Sequence, residues 1–136
     1  MRQYITKSIL FYHLLLGITY GQFKTPVTVT AEIAGAVRAG EVAIVTIQAA
    51  MDDEWHIYAL KNAGKGPIAT RVNVSGDLVA EQGQVEHREP IEKFDEGFGV
   101  KTRFFQGTTA FSVPILLKDD VSAGQGIVNA YILYQV

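Results

Sequence analysis

His56 and His87, Ser75 and Ser112, and a run of acids are residues of this chain whose types could do chemistry. His56 follows Asp52, Asp53 and Glu54, a grouping that could hold a metal ion if the side chains converged. Metal sites need more ligands at set spacings, and neither His-x-x-x-His nor a calcium-loop pattern occurs. The acids at 52–54 read more simply as a solvated turn between strands, and His87 stands alone. Ser75 and Ser112 lack the Gly-x-Ser-x-Gly context of an activated nucleophile. Glu86, Glu89, Glu92, Asp95 and Glu96 are dense along one segment, where a paired-carboxylate hydrolase is conceivable and a solvated surface is the simpler reading. No metal and no cofactor is expected. The segment that invites a functional reading is "EKFDEGFGV", residues 92–100. It sets Phe94 and Phe98 in polar, glycine-containing surroundings, with Asp95 and Glu96 between them. Either both rings staple the loop to the core, or one of them covers something at the surface.

The elements that must position this segment read as short strands. "VTVTAEIA" alternates, with Val27, Val29, Ala31 and Ile33 on one side. After a turn at Ala39-Gly40, "EVAIVTIQAA" is apolar on both faces and reads as a central strand. "WHIYAL", "TRVNV" and "LVAE" are further short runs, separated by "KNAGKGP" and "SGD". Trp55 reads as an ordinary core aromatic. "EQGQVEHREPIEKFDEGFGVK" reads as long, polar and irregular. "RFFQG" and "TTAFSVPILLK" read as a hairpin pair about Gln106-Gly107. Pro114 inside the second run predicts an edge strand or a bulge. The last stretch, "GIVNAYILYQV", puts Val128, Ala130, Ile132, Tyr134 and Val136 on one apolar face. No helical run of convincing length appears. The pattern predicts an all-β, two-sheet antiparallel sandwich of immunoglobulin-like size.

Composition narrows the function classes. With 12 Lys+Arg against 14 Asp+Glu there is no basic excess to hold nucleic acid. Residues 1–21 read as a secretory signal peptide: Arg2 and Lys7, an apolar run from Ile9 to Ile18, then small residues near Gly21. The run is short for a membrane span. Cleavage near Gly21 would leave one domain, 22–136, and take the formal net charge from −2 to −4, since Arg2 and Lys7 go and no acid does. The chain has no cysteine, so packing alone must hold this extracytoplasmic domain together.

"EWHIYAL", "GPIATRV", "FDEGFGV", "RFFQGTTAFSVPILL" and the closing "YQV", in that order, resemble the N-terminal domain of the thiol:disulfide interchange protein DsbD and its relatives, the disulfide bond corrector domains of secreted bacterial proteins. The resemblance covers roughly residues 26–136. It implies an immunoglobulin-like fold and a periplasmic role linked to cytochrome c biogenesis. It further implies electron relay by thiol–disulfide exchange, from a membrane electron-transfer domain to periplasmic thiol oxidoreductases. In the resemblance, Phe94, Asp95, Glu96, Gly97, Phe98 and Gly99 match a cap loop over a redox cysteine pair, with Phe98 the first candidate for the covering ring and Phe94 the alternative. Tyr58 and Tyr134 match aromatics near that pair. The first cysteine of the pair would follow Val136 directly, so the chain looks cut before its chemistry and should be inactive as written. A missing final strand would leave a sheet edge unpaired and the domain marginally stable. Asp95 and Glu96, if close to a thiol, would raise its pKa by like-charge repulsion. The alternative function is a non-catalytic secreted binding module on the same sandwich.

Overall fold

The computed structural model describes residues 25–62 and 64–136. The expected signal peptide, with His13, lies outside these residues. Ten strands run in chain order: β1 (Val27–Ile33), β2 (Val42–Met51), β3 (His56–Tyr58), β4 (Arg71–Ser75), β5 (Val79–Gln82), β6 (Glu86–His87), β7 (Ile91–Asp95), β8 (Val100–Gln106), β9 (Thr108–Leu117) and β10 (Asn129–Leu133). Among the described residues there is no helix, so none there is long and apolar enough to cross a membrane.

One layer is a sheet in the order β1-β2-β9-β5, with β6 also on β9. The other layer has two parts, β10-β4 and β3-β8-β7. All pairings are antiparallel. The core between the layers follows from strand alternation. Val45, Ile47 and Ala49 of β2 and Phe111, Val113 and Ile115 of β9 point one way and meet Ile57, Val72, Val74 and Phe105 from the other layer. This is the all-β, immunoglobulin-like sandwich that the strand pattern predicts. Val128, Ala130, Ile132 and Tyr134 pack against this core, as their alternation requires, whereas Val136, expected on the same face, lies beyond β10 and is exposed. Trp55 also packs on it, partly buried.

Three local expectations are corrected, and that for β2 is borne out and sharpened. The segment 81–101 is not irregular. It supplies β6 and β7, and "FDEGFGV" is the tip of the β7–β8 hairpin. Polar residues are tolerated there because β7 is the outer strand of its sheet. Strand β2 is central but buried on one face only, with Val42 and Ile44 exposed on the other. Strands β8 and β9 do not pair as a hairpin. The chain turns at Gly107 (φ +66°) and crosses from one layer to the other, so each strand finds different neighbours. Pro114 lies in central β9, opposite Ile44 of β2. Its carbonyl accepts from Gly83 N at 2.7 Å. In an extended strand the N and O of one residue point the same way, so the missing N–H faces the break between β5 and β6. No bond to β2 is lost.

Candidate functional site

Strands β3, β8 and β7 carry two sets of side chains. Ile57 and Phe105, cross-strand partners, enter the main core and are fully buried. The opposite face carries His56 and Tyr58 from β3, Thr102, Phe104 and Gln106 from β8, and Asp95 from β7, a set fixed by the registers His56↔Gln106, Tyr58↔Phe104 and Asp95↔Val100. A face turned away from the core should be wet. Yet Tyr58, Thr102 and Phe104 are all buried, and neither aromatic belongs to the main core cluster. They form a second, smaller apolar centre.

The hairpin tip helps cover that centre. Asp95 and Val100 are the last paired residues, and Glu96–Gly99 make the turn. Gly99 sits at φ +67° and donates its N–H to Asp95 O at 2.7 Å. That conformation favours glycine because it lacks a Cβ. Asp95 organises the turn with one carboxylate oxygen, Oδ1, which accepts from Gly97 N at 2.9 Å and Phe98 N at 3.2 Å. The other oxygen, Oδ2, accepts from the Tyr58 hydroxyl at 3.0 Å. Phe98 lies edge-to-face on Tyr58, with ring centroids 6.1 Å apart. His56 continues the row, 4.9 Å from both Tyr58 and Phe104. Beside it is an open cleft of about 450 Å³ lined by His56, Thr102, Phe104 and Gln106 and by Lys93, Phe94, Asp95 and Glu96 at the end of β7.

Burial, then the hydrogen bond to Asp95 and the charge of Asp95, push the Tyr58 phenol above its ordinary pKa. The phenol therefore stays protonated and donates at neutral pH. Asp95 is committed to the turn and to Tyr58, while Glu96 is exposed. The remaining acids are spread out: Glu92 pairs with Lys101 and Glu89 with Arg103. Phe94 is on the other face of β7 from Asp95, opposite Lys101, and is 57% exposed. It staples nothing to the core. Gly97 lies close enough to Asp95 that an added Cβ would come within 3.2 Å of Oδ1. Tyr134 follows β10 and packs partly buried on the main core. Its neighbour Gln135 accepts from Ile68 N at 2.8 Å.

His56 and His87 are not brought together. His87 lies on β6, its ring against Phe105 and Phe111 of the core. No three His, Cys, Asp or Glu residues gather among the described residues. The sequence reading missed Phe104 and weighed His56 only as a ligand. Alternation in "WHIY" already puts His56 and Tyr58 on one face.

Residues 24–136 match the family described as thiol:disulfide interchange protein DsbD, N-terminal. The chain belongs to this family. No curated protein and no solved structure matches it. A DsbD N-terminal domain is a thiol:disulfide interchange domain in general. What the arrangement at the β7–β8 tip can do is shield: it lays an aromatic ring on a buried phenol and fastens it by a side-chain hydrogen bond.

Proposed function

We propose that this domain works outside the cytoplasm as an electron relay, taking reducing equivalents from a membrane electron-transfer domain and passing them to periplasmic thiol oxidoreductases, with the β7–β8 tip as its cap. The observation that carries the reading is the second apolar centre, with Phe98 edge-to-face on its Tyr58 and Tyr58 tied to Asp95 of the tip. Thiol–disulfide exchange proceeds by attack of a thiolate on a disulfide sulfur. One S–S bond forms as another breaks, and the displaced sulfur leaves as thiolate. Access sets the rate, so a ring over the thiols suppresses idle exchange, and a tip that opens admits a partner. The 136 residues contain no cysteine; the resemblance to the family is what would place the exchanging pair directly after Val136. Reading the coding sequence past Val136 is the first test. If a cysteine pair follows, Phe98→Ala in the protein carrying it raises the alkylation rate of the reduced thiols severalfold. An unchanged rate overturns the cap.

The zero cysteine count favours one other reading, a non-catalytic immunoglobulin-like binding module. A stop codon after Val136 would select it.

A further inference from the structure

The edge of β4 away from β10 is met by a side chain instead of a strand. Val74 N donates to Gln82 Oε1 at 2.6 Å, and Gln82 Nε2 donates to Val72 O at 3.5 Å. These groups point away from β10, since paired strands alternate the direction of successive residues. A primary amide can present its carbonyl oxygen as acceptor and one of its two N–H groups as donor to the same edge, as one residue of a neighbouring strand does. Gln82 therefore imitates a single residue of a missing strand. Further along the same edge, Thr70 N donates to Ala59 O at 3.2 Å. Among the described residues no strand pairs with this edge.

A cleft of about 640 Å³ opens beside it. Lys61, Arg71 and Arg103 line it, and no carboxylate does, although the chain as a whole is acidic. Lys61 and Arg71 have no ion-pair partner among the described residues. Arg103 takes the carboxylate of Glu89 at 2.6 Å, and Glu89 is 86% exposed. The cleft thus accepts a carboxylate at one of its three cations, and the other two are open. Val72, Val85 and Pro90 give the cleft apolar walls.

We propose that this cleft binds an extended acidic peptide segment of a partner protein, added to β4 as a strand. Main-chain bonds to Val72 and Val74 replace those of Gln82, carboxylates meet Lys61 and Arg71, and alternate apolar side chains face the walls. The charge of the cleft selects acidic over basic sequences and steers the encounter. The site is independent of the β7–β8 tip.

The test is an NMR titration of the isotope-labelled chain with an acetylated peptide of alternating Glu and Val, beside its Lys and Val counterpart. The Glu peptide should saturate, shift the Val72 and Val74 amides and the Gln82 side-chain amide, and bind more weakly as salt rises. The double variant Lys61→Glu/Arg71→Glu should weaken it by about tenfold or more. Both positions are exposed and unpaired, so the melting temperature checks that the fold is kept. Equal binding of the Lys peptide, absence of saturation, or shifts confined to Lys and Arg side chains would overturn the proposal. Loss of the cap reading would leave these outcomes unchanged, since they involve no residue of the tip.

Discussion

Strand β8 ends in a glycine turn on each side, and the two turns are built for different lives. Gly99 and Gly107 have nearly the same backbone angle, φ +67° and +66°. At Gly107 the chain crosses between layers with Phe105 and Phe111 on either side, both fully buried, their rings 5.6 Å apart. Arg88 spans the crossover, donating to Thr109 Oγ1 and Gln106 O at 2.7 Å each and lying over the Phe105 ring. Gly107 O also accepts from Met51 N at 2.8 Å. At Gly99 the flanking rings, Phe94 and Phe98, are 57% and 43% exposed. There the Tyr58–Asp95 bond fastens the turn to the sheet beneath. Equal local geometry thus coexists with very unequal anchoring. A turn set in the core opens only with the whole domain, whereas a turn held to the sheet by one side-chain bond and one ring contact opens by itself.

The sharpest way to break this comparison is to truncate a ring at each end. Phe105→Ala should lower the unfolding free energy by about 3–5 kcal/mol, since it empties the centre of the core. Phe94→Ala should change it by no more than about 0.5 kcal/mol. Urea unfolding measures both, and comparable losses would mean that the tip carries core-like packing. A finer comparison uses the glycines. An added Cβ would meet nothing within 4 Å at either position, so only the backbone cost of about 1–2 kcal/mol remains. Gly107→Ala should show that cost in full, because the crossover cannot relax. Gly99→Ala should show less, because the tip can give way. Equal losses would show that the tip is as rigid as the crossover.

The layers were more legible than their connections. Alternation in β2 and β9 announces the core directly, because one face of each strand must be dry. Pairing is a different matter. "RFFQG" and "TTAFSV" look like a hairpin because a glycine separates two apolar runs, and nothing local says that the chain changes sheet there. Residues 86–95 hide two strands, since outer strands bury little and need no apolar alternation. At the site, "FDEGFG" stood out by composition, an aromatic–acid mixture in a glycine-containing segment. The Tyr58–Asp95 bond did not, because it joins residues 37 positions apart through a register that only the folded sheet defines. The buried face beneath the tip was legible only in part. His56 and Tyr58 share a face by alternation, but whether that face is covered depends on where the tip folds.

The smallest expected effect tests the fastening itself. Tyr58→Phe keeps the ring and removes the donor, so stability should fall by about 1 kcal/mol. Hydrogen exchange at the Gly97 and Phe98 amides should quicken by more than that global loss accounts for, because the tip opens without the domain unfolding. The same bond makes a prediction in alkali. Tyr58 has a folded-state pKa above its unfolded value of about 10. Below pH 10 the phenol is protonated in both states and its contribution is fully present. Above pH 10 the unfolded chain loses its proton first, so the contribution declines and is gone once the pH has passed the folded value. The wild-type chain should therefore lose stability above pH 10 more steeply than Tyr58→Phe, and the two curves should converge there. Parallel curves would mean that the phenol's proton is not what holds the tip down. Ring contact between Phe98 and Tyr58, which the variant retains, would then be the stronger fastening.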